Sequence, residues 1–251
     1  MTRLSRRKLI AAGVAAASGA SGLAAARLAD RYGLIPPDGD GIWGPGETLT
    51  YAAQRLLAPN SLAREFSRDQ ISKPPYANGR PPKDEAFLKH QAAGFADWRL
   101  TVDGMVARPS VFSLADLRKY PSRSQITHLA CEEGWSFIAE WIGVPLSYVL
   151  DIVGISPQAR YVVYFSIQPR WWDSLDMTDA LHPQTFLTYG MNGADLPVPH
   201  GGPLRVRVPR QLGYKSVKFV TRLTVTDSVK GFGKGKGSFA AEHGYAWYNG
   251  I

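Results

Sequence analysis

From Trp98 onward the chain is made of short apolar runs broken by glycine, proline and Asp/Asn pairs. β-Branched or alternating runs of this length predict strands, and the breaks between them predict turns. Residues 98–106 read as a strand with a hairpin turn at Asp103-Gly104. Ser113 reads as the N-cap of a helix over 114–120, with Asp116 placed to close a capping box. Residues 126–130 read as a strand that delivers Cys131 to a loop of Glu132, Glu133, Gly134 and Trp135. Pro145 leads into a short helix over 146–153. Further strands are expected over 160–166, 186–189, 203–208 and 216–226, with one helical turn at 177–181. Strands outnumber helices and the helices are short, which predicts an α+β fold of mixed sheets.

The upstream pattern differs. Residues 27–58 begin rich in proline and glycine and turn helical near 51–57. Residues 74–82 carry a proline pair at each end and read as an extended surface loop. Residues 27–97 are therefore expected to be an N-terminal extension packed on a core of residues 98–251. That core ends in a glycine-rich tail, Gly231-x-Gly233-x-Gly235. A dinucleotide fingerprint must follow a strand and open a helix, and this tail does neither, so it reads as a loop.

The first 26 residues add an address. A basic head, Ser5-Arg6-Arg7-Lys8, precedes an apolar, alanine-rich stretch that reaches Ala26, with the first acid at Asp30. This pattern predicts a twin-arginine export signal over residues 1–26 and a periplasmic protein. Retention of the segment as an anchor stays open. The signal also accounts for much of the net charge of +8, since Arg3, Arg6, Arg7, Lys8 and Arg27 face no acid there. No basic stripe with interleaved aromatics remains, so no nucleic-acid partner is expected.

Cys131 is the only cysteine among 251 residues. An exported chain with one thiol cannot close an internal disulfide, and a free thiol in an oxidising compartment must be buried or ligated. A thiolate is a soft ligand suited to a redox metal. The plainer reading, a small buried hydrophobe, remains available. Two glycine-containing segments downstream are candidate anion sites: His200-Gly201-Gly202-Pro203-Leu204-Arg205 and Gly213-Tyr214-Lys215-Ser216-Val217-Lys218. Glycines let backbone N–H groups approach a ligand, and the cations neutralise it. There is no paired-cysteine or His-x-x-x-His metal pattern and no Gly-x-Ser-x-Gly elbow.

Taken in order, residues 129–135, 141–146, 180–183, 189–193, 200–205 and 213–218 resemble the sulfite oxidase family of molybdopterin enzymes. The likeness is to its exported, single-domain bacterial branch, which includes periplasmic methionine-sulfoxide reductase catalytic subunits. The resemblance implies the sulfite-oxidase-type fold and a molybdenum-molybdopterin cofactor (Mo-MPT) with Cys131 as metal ligand. It implies cofactor contacts from Asn60, Arg64, Glu65, Ser166, His200, Arg205, Ser216, Val217 and Lys218. It implies a substrate pocket walled by Arg64, Arg170 and the Trp171-Trp172 pair, with Arg64, Arg170 and Trp171 joining Cys131 as the catalytic set.

Two departures from the family pattern shape the expectation. Sulfite oxidases carry a tyrosine near the metal where this chain reads Pro169-Arg170-Trp171-Trp172-Asp173, and little chain follows Thr226 to form the family's dimerisation domain. The expected protein is a monomer that transfers an oxygen atom with two electrons to or from a small sulfur-containing or similar oxo substrate. A single cysteine cannot make a Cys-x-x-Cys-His haem attachment, so a separate cytochrome is expected to exchange the electrons. Two alternatives stay open: a sulfite dehydrogenase, and a cofactor-free exported ligand-binding module.

Overall fold

The structure is a computed structural model and describes residue 29 and residues 33–251. The expected export signal lies outside the described residues. Among the described residues no helix is long and apolar enough to cross a membrane.

Two five-membered strand groups form the body. One sheet runs β2 (Ser110–Ser113), β1 (Arg99–Gly104), β10 (Val220–Thr226), β5 (Tyr161–Ser166) and β6 (Trp172–Asp176). The other runs β3 (Arg123–Ala130), β4 (Ser136–Pro145), β7 (Phe186–Met191) and β8 (Ala194–Asp195), with β9 (Arg205–Arg207) also paired to β7. Among the described residues only β1 and β10 pair in parallel; the other strand pairs are antiparallel. One apolar core draws on both sheets: Leu100 and Val102, Val162 and Tyr164, Val144, Leu187, Leu204 and Val206, and Leu223 are all buried in it. Alternation along β9 sends Leu204, Val206 and Val208 into this core and leaves Arg205 and Arg207 on the other face.

The helices are short, and the sequence explains where they stop. α1 (Gly44–Leu57) and α2 (Glu85–Ala92) lie upstream of β1; α3 (Leu114–Lys119), α4 (Leu146–Val153), α5 (Met177–Ala180) and α6 (Phe239–Glu242) lie between and after the strands. α4 buries Leu146, Val149, Leu150 and Val153, an i, i+3, i+4, i+7 stripe, and ends at Gly154 with φ +70°. α3 starts on a full capping box: the Ser113 hydroxyl accepts from the Asp116 N–H at 3.1 Å, and the Asp116 carboxylate accepts from the Ser113 N–H at 3.1 Å. Ser113→Ala is expected to cost about 1 kcal/mol, the usual loss for an N-cap, with the cofactor site untouched. Urea unfolding checks this; an unchanged midpoint would mean the box contributes nothing.

Three expectations are corrected by the backbone. The β1–β2 hairpin exists, but Asp103-Gly104 is not its turn: β1 runs through Gly104 and the connection is 105–109. Gly104 is glycine because a Cβ there would sit 2.1 Å from the Val225 carbonyl oxygen of β10. Residues 216–219 are not strand, since β10 begins at Val220 and Phe219 has φ +57°. This break lets Arg205 Nε reach the Ser216 carbonyl at 3.0 Å. The strand predicted over 203–208 is confined to Arg205–Arg207.

Residues 33–97 pack on the sheets at several places, of which two are the most buried. Tyr51 and Arg55 of α1 meet Asp176 at 2.5 and 2.6 Å, and Arg55 also pairs with Asp179 at 2.8 Å. Asp179 has no exposure and takes Arg210 as a second cation. Phe87 of α2 closes a cluster with Trp98 and Phe219.

Candidate active site

Cys131 follows the last residue of β3 and opens a tight loop, in which its N–H donates to Trp135 O at 3.0 Å and its carbonyl accepts from Gly134 N at 3.1 Å. Gly213 lies against this loop: a Cβ there would be 3.2 Å from Ala130 O and 3.7 Å from the Cys131 Cα. The 213–218 segment therefore approaches the cysteine loop closely because residue 213 has no side chain. The thiol donates to Glu132 Oε2 at 3.0 Å. Burial pushes the Cys131 thiol up to about 12, and the Glu132 carboxylate adds to the shift. Without a metal this thiol stays protonated and unreactive.

Cys131 lines a cavity of about 250 Å³ together with Trp171, Arg205, Ser216, Val217 and Lys218. These are six of the residues expected at the site, brought together from β3, β9 and the loops before β6 and β10. A larger hollow of about 610 Å³ lies beside α1, but its wall contains the Arg55–Asp176 ion pair and no thiol.

The cavity is unusual in its charge. Arg205 and Arg207 are both buried, and among the described residues neither has a carboxylate partner. They flank Trp141, 5.3 and 5.2 Å from its ring. Arg205 donates only to backbone, to Ser216 O at 3.0 Å and His200 O at 2.9 Å. Burial pulls its guanidinium down to about 9, and pulls Arg207 down as well. Arg207 donates to His128 O at 2.6 Å, while its Nε has no partner among the described residues. Lys218 reaches Asn78 O at 2.7 Å and Pro199 O at 2.6 Å. Two buried guanidiniums and an ammonium without counter-charge carry a large desolvation penalty, which a bound anion would offset.

Lys218 gives this charge imbalance a pH signature. Burial, then Arg205, pulls its ammonium from the ordinary 10.5 to about 7. A cation whose folded value is depressed binds fewer protons folded than unfolded, so stability rises with pH between the two values. Cofactor-free protein is expected to gain stability from about pH 7 to about pH 10 relative to Lys218→Met, with no gain from this residue below pH 7. Parallel denaturant titrations of the two proteins at pH 6.5 and pH 9 measure the difference.

Other expected site residues lie off this cavity lining. His200 is buried against Phe137 at 5.5 Å, its imidazole pulled down to about 4 by burial and by Arg205 and Lys218, so it is neutral. Ser166 ends β5, where its hydroxyl accepts from Gln168 N at 3.1 Å. Asn60 is exposed, Arg64 covers the Phe66 ring at 4.9 Å, and Glu65 bridges to Thr127 of β3. Arg170 is exposed in a left-handed conformation, φ 74°. The tryptophan pair splits: Trp171 lines the cavity and is 53% exposed, while Trp172 packs with Phe165 and Phe232. Lys215 points elsewhere and pairs with buried Asp173 at 2.6 Å.

Sequence reasoning missed two features. Arg207 was legible as the second polar position of an alternating strand with no acid near it. Residues 76–80 were read as surface loop, yet Asn78, Gly79 and Arg80 line the cavity.

Among the described residues no cluster of three or more His, Cys, Asp or Glu could hold a bare metal ion. A metal at Cys131 must bring most of its ligands with it. A metal carried by an anionic organic ligand satisfies both the single thiol and the uncompensated cations. A family model for the oxidoreductase molybdopterin-binding domain matches residues 88–231. The chain belongs to this family. It is an α+β molybdopterin oxidoreductase of the sulfite oxidase family, and its cofactor is molybdenum-molybdopterin.

Relatives agree with the membership. The chain is 36% identical over 195 residues to an Azospira oryzae protein named as a protein-methionine-sulfoxide reductase subunit (YedZ1), across 78% of this chain and 70% of that one. It is 29% identical over 243 residues to the protein-methionine-sulfoxide reductase catalytic subunit MsrP of Ralstonia nicotianae, across 88% and 69%. Among solved structures, the sulfane dehydrogenase SoxCD of Paracoccus pantotrophus superposes with a TM-score of 0.51 at 27% identity. That match covers 53% of this chain and 39% of the SoxCD chain.

Proposed function

We propose that this molybdopterin oxidoreductase transfers one oxygen atom with two electrons, and that its substrate is a sulfoxide reduced to the thioether. The observation that carries the reading is the shared cavity: one thiol, no metal-binding cluster among the described residues, and buried cations with no carboxylate partner among them. The names of the reductase relatives support the substrate class.

Cys131 would hold the metal, and Arg205, Ser216, Val217 and Lys218 would hold the pterin and its phosphate. Arg207 and His200 stand behind them: Arg207 shares Trp141 with Arg205, and the His200 carbonyl fixes the Arg205 guanidinium. When bound, the cofactor supplies a metal centre that exchanges an oxygen atom and two electrons. The chain's part is to bind, orient and shield. Its neutral His200 adds no charge, and Glu132 accepts the hydrogen bond of the thiol that would give up its proton to ligate the metal. The balance is R₂S=O with two electrons and two protons giving R₂S and water. A separate cytochrome supplies the electrons in this reading.

Asn60, Arg64, Glu65 and Ser166 are retained as cofactor contacts and Arg170 as a pocket residue only as part of the proposal. The same holds for export by the twin-arginine route, a periplasmic location, a monomer and the division at residue 98. Tyr214 also lines the cavity, but its hydroxyl is committed to Ala246 O at 2.6 Å and Asn249 Nδ2 at 2.9 Å, which gives sulfite oxidation no free phenol.

Elemental analysis for molybdenum, followed by a substrate screen with a viologen donor and ferricyanide acceptor, tests the reading. Stoichiometric molybdenum and viologen-driven sulfoxide reduction are expected. Absence of molybdenum would return the cofactor-free binding module, and ferricyanide-linked sulfite oxidation alone would replace the reductase with a sulfite dehydrogenase.

A further inference from the structure

We infer that Arg80, carried over the Cys131 cavity by residues 76–80, binds the substrate oxygen. The inference rests on the oxidoreductase reading above and names the residue that selects its substrate.

Residues 76–80 form a strap across the cavity, and three contacts hold it there. The Tyr76 ring lies 4.9 Å from Trp135, the Asn78 amide donates to Glu133 Oε2 at 2.7 Å, and the Asn78 carbonyl accepts from Lys218 at 2.7 Å. The strap is thus tied to both the cysteine loop and the 213–218 segment. Arg80 is placed on the cavity lining by its position in that strap.

Elimination points to Arg80 among the cations. Arg205 and Lys218 also line the cavity, but each already donates to two backbone carbonyls. Arg64 and Arg170, the arginines first expected to wall the pocket, are not on the lining. Arg80 has no hydrogen bond, ion pair or ring contact among the described residues. The two carboxylates nearest in sequence to the thiol are committed: Glu132 to the Cys131 thiol, Glu133 to Trp135 Nε1 and Asn78. They leave the Arg80 guanidinium without a competing partner. A sulfoxide oxygen is a strong, exposed acceptor, and an exposed arginine on the cavity lining without another partner is its matching donor.

Arg80 also lies outside residues 88–231, the part matched by the family model. The cofactor-holding groups on the cavity lining, Cys131, Arg205, Ser216, Val217 and Lys218, come from inside that span and Arg80 from outside it. Substrate choice in this chain would then be set by its own N-terminal extension.

The test compares full-length holoenzyme with Arg80→Gln and Arg80→Lys. Molybdenum content is measured first, then KM and kcat for dimethyl sulfoxide, and binding of dimethyl sulfoxide by tryptophan fluorescence, since Trp135 and Trp171 face the cavity. Loss of a charge-assisted hydrogen bond predicts a roughly 10- to 100-fold rise in KM and in the fluorescence midpoint for Arg80→Gln. Molybdenum content and kcat should stay within about threefold of wild type, and Arg80→Lys should recover part of the loss. Wild-type KM in Arg80→Gln would overturn the assignment alone. Loss of molybdenum in Arg80→Gln would make the strap part of the cofactor site and also overturn it. Wild-type protein without molybdenum would remove the oxidoreductase reading and this inference with it.

Discussion

Cys131→Ser should fold normally and lose turnover. The thiol is half-buried at a strand end and makes only weak side-chain contacts, to Glu132 at 3.0 Å and Glu133 at 4.0 Å, the first of which a serine hydroxyl can replace. The change in unfolding free energy should therefore stay within about 1 kcal/mol, the range of a near-isosteric substitution away from the core. The metal sees a larger difference. A hydroxyl is a harder donor and holds its proton more tightly, so it does not reproduce a thiolate ligand. Removing even an outer partner of a metal ligand typically costs about 10–100-fold, so removing the ligand should cost at least about 100-fold in kcat. Viologen-linked turnover and a urea melt on the same preparation separate the two effects. Full turnover in the serine variant would end the ligand assignment; a collapsed melt would mean that the cysteine serves packing.

Arg205→Met should lose the cofactor while keeping the apoprotein. Two opposing effects set the stability. The variant removes a buried guanidinium that has no carboxylate partner, and such an ion costs several kcal/mol to desolvate. It also strips a donor from the Ser216 and His200 carbonyls, at about 1–3 kcal/mol each. These nearly cancel, so the apoprotein midpoint should move little. The pterin has no such compensation. Losing one charge-assisted contact to an anion costs about 1.5–3 kcal/mol, or roughly 10- to 150-fold in affinity. Arg205→Lys should rescue it only in part, because an ammonium lacks the planar fork with which the guanidinium spans the Ser216 and His200 carbonyls. Fluorescence of the oxidised pterin extracted from purified protein gives the occupancy directly. Unchanged occupancy would show that Arg205 only packs on Trp141.

The legible parts of this chain were those set by local chemistry. The capping box at Ser113, the 146–153 helix and the strand into Cys131 all follow from patterns spanning fewer than ten residues, and the structure has them. The site was legible where residues close in sequence act together, as Ser216, Val217 and Lys218 do. It was not legible where the fold brings distant segments together. The strap at 76–80 has surface-loop composition, and nothing local shows that Lys218 will bind its backbone across 140 positions. Trp171 and Trp172 are adjacent and aromatic, but Trp171 lies in the loop before β6 and lines the cavity, while Trp172 opens β6 and packs with Phe165 and Phe232. Lys215 and Lys218 are both basic residues of one motif, but only the fold supplies Asp173 to neutralise the first and leaves the second unpaired.

The central claim is that Cys131 is a ligand of a molybdenum held by a pterin in the cavity it shares with Arg205 and Lys218. Molybdenum K-edge X-ray absorption of wild-type protein and Cys131→Ser tests it most directly. The pterin dithiolene contributes two sulfurs, so the account predicts three sulfur neighbours in the wild type and two in the serine variant. The same sulfur count in both proteins would contradict it.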